Sequence, residues 1–180
     1  MIVDMLKSSK QKGMTLLEVL VTLVIVAFGL LGIASMLMYS SKANNSSYTK
    51  QQAVQTAYDI FDRIRANSQV AISGNYNVSN IGSNGYPTSV STPSAMCNSS
   101  ICTPVQLAAY DTWHWLSKDV SRLPNGSGSV TTALSGIAGN TIVTVTVQWD
   151  DSPAQANLGS SSTVSGTNPN FVQLTIQSQI

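Results

Sequence analysis

The sequence predicts an α+β fold in which one long N-terminal helix packs on a small antiparallel sheet, with a second helix and long loops. Three observations carry that expectation. Twenty uncharged residues, Val19 to Met38, run on into a polar segment that keeps a helical period; a capped second helix follows a loop-rich stretch; and two segments of strict apolar/polar alternation lie near the end of the chain.

Composition narrows the class before any element is placed. With 180 residues, the chain has room for one globular body once a membrane segment is subtracted. Only 9% of residues are charged, so the solvent face is built from hydroxyls and amides, as is common on exported proteins. Lys7, Lys10 and Lys12 against Asp4 make the first thirteen residues +2, and the remainder of the +1 total is therefore −1. No basic patch or charge run is left in the body, which removes nucleic acid as a partner.

The apolar run from Val19 to Met38 is interrupted only by Thr22, Gly29, Gly32 and Ser35. At about 1.5 Å per residue, twenty helical residues span the ~30 Å hydrocarbon core of a bilayer. A secretory signal peptide has the same basic start, but its apolar region is roughly 7–15 residues and ends in a small-x-small cleavage pattern that is not evident here. A plain membrane anchor oriented by the three lysines fits, but leaves one carboxylate unexplained. That residue is Glu18, close to the start of the apolar helix, where a charge costs roughly 2.5–3.5 kcal/mol on insertion scales.

Beyond Met38 the period continues. Val54, Ala57, Tyr58, Phe61, Ile64 and Arg65 recur at three- and four-residue steps and predict one stripe on an amphipathic half ending near Asn67, with Gly74 stopping any continuation. Asn44, Asn45, Ser46 and Ser47 are weak helix formers, so bending or weakening is expected there. Asp59, Asp62, Arg63 and Arg65 read as a solvated face, with an inter-subunit ion pair as the alternative.

Residues 73–103 are rich in Gly, Ser, Asn, Thr and Pro and read as loop, with a short strand at Tyr76 to Val78. Cys97 and Cys102 fall in this stretch, within "CNSSIC"; in an exported domain the pair reads as a disulfide, in a cytosolic chain as two thiols. Thr103 caps the next helix, Pro104 suits its first turn and Gln106 completes a Thr-x-x-Gln capping box. Val105, Ala109, Trp113, Leu116, Val120 and Leu123 are expected on one buried stripe, which makes Trp113 core and Trp115 an exposed ring. Pro124, Asn125 and Gly126 end the helix.

Strands are expected at Ser129 to Leu134, at "TIVTVTVQW" and at "FVQLTIQ", the second of which alternates Val143, Val145, Val147 and Trp149 with polar partners. Asp150 to Asn170 reads as a long loop. Asp150 and Asp151 lack a third carboxylate at ligand spacing, so no metal is expected. His114 has no catalytic partner implied by spacing and reads as a surface residue; no catalytic residue and no cofactor are assigned.

"KGMTLLEVLV" carries a resemblance. A basic leader ending in Gly13, then Met14, Thr15, two leucines, Glu18 and an unbroken apolar span, resembles the class III signal of type IV pilins and pseudopilins. The resemblance implies residues 1–13 as a cleaved leader, 14–38 as the transmembrane part of the long helix, 39–67 as its amphipathic part and 68–180 as the globular domain of a type IV pilin-like fold. It implies cleavage by prepilin peptidase between Gly13 and Met14, methylation of the new Met14 amine, and pairing of Glu18 with the amine of a neighbouring subunit, where it sets register. The alternative for Glu18 is that it snorkels to the headgroups.

A narrower resemblance lies in the body. "GLLGIA", "RIRAN", the cysteine pair, "YDTWHWL" and "LPNGSG" together are similar to the PilV family of minor pilins, the type IV pilus modification proteins. This implies a subunit that passes from the inner membrane, with its body in the periplasm, into the pilus. Its partners would be other minor pilins, the major pilin and the inner-membrane assembly machinery. A minor pseudopilin of type II secretion, and a pilin-borne adhesin binding through Trp115 or the 150–170 loop, are the other readings.

Overall fold

The computed structural model describes residues 13–134, 140–152 and 170–180. The chain divides into two compact units, Met1–Ser41 and Lys42–Ile180, joined within one helix, α1 (Leu16–Ala66). In the first unit every described residue is exposed. The helix is unbroken through the expected weak stretch at Asn44 to Ser47: Thr49 Oγ1 donates to the Asn45 carbonyl, and Ser46 Oγ donates to Asp151 Oδ2 at 3.0 Å. Polar residues that disfavour helix in isolation are held here by bonds made after folding.

In the second unit, α1 buries Ala53, Thr56, Ala57, Ile60, Phe61 and Ile64. Ala57, Phe61 and Ile64 are stripe residues expected from sequence, but Val54 is only half-buried and Tyr58 is 50% exposed. The stripe is centred one position away from the expected one because small Ala53 and Thr56 make the close contacts, while the large Tyr58 points outward. A short helix, α2 (Ser68–Ile72), follows and ends before Gly74, whose φ of +79° stops the helical path as expected.

β1 is the two-residue Val78–Ser79, slightly later than the expected strand. Cys97 and Cys102 form a disulfide across a separation of five residues. Closing so small a loop contributes about 2 kcal/mol by constraining the unfolded chain. α3 (Pro104–His114) begins with the complete capping box: Thr103 Oγ1 accepts from the Gln106 amide and Gln106 Oε1 accepts from the Thr103 amide. The helix then widens into a π-helical turn at Trp115–Asp119, tightens into a 3-10 turn at Val120–Arg122, and ends before Asn125, whose φ is +47°.

β2 (Ser127–Leu134), β3 (Thr141–Asp150) and β4 (Phe171–Gln179) complete an antiparallel meander in the order β1-β2-β3-β4. Val143, Val145, Val147 and Trp149 are buried as their alternation predicts, and join the α1 residues in one core. Each fully buried side chain of this size contributes roughly 1.5–3 kcal/mol.

The order of the tryptophans is the reverse of the expected one. Trp115 is fully buried and its indole N–H donates to the Thr56 carbonyl at 2.9 Å. Trp113 lies half-buried beside Tyr110, with the Lys118 ammonium 5.8 Å from its ring. Val105 is 53% exposed and Ala109 is exposed too. The buried face is instead Ala108, Asp111, Thr112, Trp115, Leu116 and Val120. Two of those are polar and satisfied locally or by partners, so an apolar count could not see the stripe.

Candidate functional site

The start of α1 is built by local chemistry. Thr15 stands just before the helix, and its hydroxyl accepts the Glu18 amide at 3.3 Å. Glu18 is thus the third helical residue, where an acid complements the free N–H groups and the positive end of the helix dipole. The Thr-x-x-Glu pattern is a capping-box signature, a local role for Glu18 that is legible in the sequence. Among the described residues, Glu18 makes no ion pair.

Gly13 is exposed, and a Cβ added to it meets nothing within 4 Å; its φ is not in the left-handed region. The described structure therefore places no demand for glycine at that position. Met14 beside it is 71% exposed.

From Leu16 onward the helix presents apolar side chains on all sides, including Leu17 at 73% exposure and Phe28 at 71%. By length and composition it is able to cross a membrane. Its polar side chains satisfy themselves: Thr22 Oγ1 donates to the Val19 carbonyl and Ser35 Oγ to the Gly32 carbonyl, both at 2.8 Å. Neither of these two hydroxyls needs water, as a hydrocarbon setting requires.

Charge in the body is arranged differently from the expected solvated face. Asp62 and Arg65 do pair on the surface at 3.3 Å. Arg63, however, donates from Nε to Asp59 at 2.9 Å and from Nη1 to the buried Asp111 at 3.3 Å, and lies 4.0 Å from Asp119. Tyr76 Oη donates to the other Asp111 oxygen at 2.9 Å and accepts from Asn67 Nδ2, which also donates to the Pro104 carbonyl. Burial pulls the Arg63 guanidinium down, but the bonds to and charges of Asp59 and Asp111 more than offset this and leave it above its ordinary value. Burial, helped by the Asp111 charge, pushes the Tyr76 hydroxyl well above the usual phenol range.

His114 is half-buried, with Nδ1 3.3 Å from Asp119 Oδ2, rather than on the open surface. Asp150 accepts from the Ser152 amide and Asn125 Nδ2. Among the described residues no three metal-binding side chains converge. The adhesin reading loses Trp115, which is fully buried and cannot stack on a ligand. Its other element, the 150–170 loop, lies largely outside the described residues.

Two protein-family models match the chain. The prokaryotic N-terminal methylation motif covers residues 8–34, and the Tt1218-like type IV pilin family covers residues 36–113. No curated protein and no solved structure matches. The two family matches follow one another along the chain and support the type IV pilin superfamily. The observed architecture, a long N-terminal helix followed by a four-stranded antiparallel sheet and a short second helix, agrees with a pilin fold.

Proposed function

We propose that this chain is a minor pilin, of the PilV kind, that takes part in assembling a type IV pilus as a member of a priming or tip complex. The observation that carries the reading is the methylation motif at residues 8–34, within which the apolar helix starts, with Thr15 just before it and Glu18 in its first turn. Prepilin peptidase cuts between Gly13 and Met14, the Met14 amine is methylated, and residues 14–38 hold the subunit in the inner membrane with its body in the periplasm.

The role is structural. Pilins are building units, and Glu18 acts on a neighbouring subunit's amine rather than on a substrate. Two opposite charges brought together in low dielectric offset each other's desolvation, so the correct axial register is favoured over those that leave either charge unpaired. Piliation, twitching motility and adhesion follow from assembly.

A minor pseudopilin of type II secretion is the second reading, since "TLLEVLV" suits both classes. Deleting the gene and measuring surface pili and secreted enzymes in the same strain separates them. Loss of pili with normal secretion is expected; normal pili with lost secretion would establish the pseudopilin instead.

A further inference from the structure

A cavity of about 400 Å³ opens between the segment that follows β1 and the turns that follow α3. Small-molecule sites have volumes of this order. Pro87, Val90, Leu116 and Leu123 give it apolar surface, and the two leucines are almost fully buried. Among the described residues, no charged side chain lines it. Leu116 and Ser117 belong to the π-helical turn, a geometry often found at functional sites.

Asn80, in the same lining, is only 5% exposed. Its Oδ1 accepts the Gly128 amide at 2.7 Å, while its own backbone amide donates to the Gly128 carbonyl at 3.0 Å. A backbone N–H must meet an oxygen, so the first of these bonds fixes the orientation of the carboxamide. The Asn80 carbonyl accepts from the Thr88 amide at 2.7 Å and from Thr88 Oγ1 at 3.2 Å, which clamps the segment from the other side. Only Nδ2 is left over. Among the described residues it has no hydrogen-bond partner, yet it is not one of the sealed polar atoms. A donor held in a nearly buried side chain costs free energy unless something meets it, and the cavity is where a partner can enter.

The hydroxyls around the cavity have the opposite bias. Ser117 Oγ donates to the Trp113 carbonyl and Ser121 Oγ to the Ser117 carbonyl, both at 2.7 Å, and Thr88 Oγ1 donates to Asn80. Each has one hydrogen and has already placed it, so all three offer the cavity only oxygen lone pairs.

We propose that this cavity binds a neutral sugar ring. Such a ring supplies O–H donors to Thr88, Ser117 and Ser121, an oxygen acceptor to Asn80 Nδ2, and a face of C–H groups to Val90, Leu116 and Leu123. An ionised ligand would be left without a counter-charge. A peptide backbone, with donors and acceptors in equal number, matches three acceptors and one donor less well. The site is separate from Trp115 and from the 150–170 loop, and it does not depend on which filament the chain joins.

Saturation-transfer NMR on the full-length protein, in a phosphocholine detergent that carries no sugar of its own, tests this. The probes are the methyl glycosides of glucose, galactose, mannose and N-acetylglucosamine, with methyl glucuronide as the charged comparison. Saturable binding of at least one neutral glycoside is expected, with the glucuronide at least tenfold weaker. Asn80→Asp keeps the oxygen that accepts from Gly128 and removes the donor, and is expected to weaken that binding at least tenfold. Ser121→Ala removes one acceptor at an exposed position and is expected to weaken it about threefold. Thr175→Ala, on β4 and outside the cavity, should bind as the wild type does. Absence of binding by every neutral glycoside, equal or tighter binding of the glucuronide, or unchanged affinity in either folded cavity variant overturns the inference. If circular dichroism shows that Asn80→Asp does not fold, Ser121→Ala against Thr175→Ala decides the matter.

Discussion

Arg63 Nη1 donates to Asp111 Oδ1 at 3.3 Å across 48 residues of sequence, while Oδ2 of the same carboxylate accepts the Tyr76 hydroxyl at 2.9 Å. One buried carboxylate thereby ties the amphipathic half of α1 to α3 and to the segment leading into β1. Asp59 shares the guanidinium from the same helix, so the charge of Arg63 is compensated twice.

Asp111→Ala removes the shared acceptor and leaves a buried hydroxyl and a half-buried cation short of partners. Loss of one member of such a pair costs about 3 kcal/mol, at the low end for buried pairs because Arg63 keeps Asp59 and some solvent. For a body of this size that corresponds to roughly 6–12 °C in melting temperature. Arg65→Ala, which removes only the exposed pair with Asp62, is expected to change stability by less than ~0.5 kcal/mol. Thermal unfolding of the two variants side by side checks this; equal losses would place the two ion pairs on the same footing.

Alkaline stability follows from Tyr76. Its hydroxyl titrates higher in the folded chain than the ordinary phenol value of about 10, first because it is buried and second because Asp111 lies beside it. A group with a raised folded value contributes its stabilisation fully below the unfolded value. Above about pH 10 the unfolded chain ionises while the folded one does not, so stability falls from there upward. Tyr76→Phe is expected to be less stable at pH 7 by about 1 kcal/mol, from the lost hydrogen bond, and to show a shallower decline between pH 10 and 11 than the wild type. A wild-type slope in Tyr76→Phe would remove Tyr76 as its source.

The two tryptophans provide a test of the core. Trp115→Phe opens a cavity against α1 and leaves the Thr56 carbonyl without its indole donor, which together cost about 3 kcal/mol. Trp113→Phe loses a half-exposed ring and its contact with Lys118 and is expected to cost under ~1 kcal/mol. Chemical denaturation measures both. A larger loss at Trp113 would restore the stripe expected from sequence.

Why sequence misplaced that stripe is a matter of which residues advertise burial. β3 and the Thr103 cap were legible because Val143, Val145 and Val147 alternate and Thr-x-x-Gln is a local pattern, each set by neighbours within four residues. The stripe on α3 depends on Asp111 and Thr112, polar residues that are buried because Tyr76, Arg63 and the Ala108 carbonyl satisfy them. Those partners are distant or backbone, so the pattern lacked them. The π-helical turn from Trp115 to Asp119 then shifts the phase again, which no count at fixed 3.6-residue period follows. Arg63 was misassigned for the same reason: its i,i+4 partner Asp59 is local, but Asp111 is not.

At the N-terminal end, the capping geometry supplies a local role for Glu18 that competes with the inter-subunit one. If Glu18 serves only its own helix, Thr15 and Glu18 act together, and glutamine at position 18 performs nearly as well, since either residue type completes a capping box. If Glu18 meets the amine of a neighbouring subunit, the charge itself is required and the cap is secondary. Thr15→Val removes the hydroxyl that accepts the Glu18 amide, at a cost of about 1 kcal/mol to the helix start. Glu18→Gln keeps size and hydrogen-bonding capacity but removes the charge. With leader processing monitored on the same blots, Glu18→Gln is expected to be cleaved normally yet to fall at least tenfold in sheared pilus fractions, with Thr15→Val reduced by less than threefold. Normal recovery of Glu18→Gln together with poor recovery of Thr15→Val would make Glu18 a helix cap and nothing more.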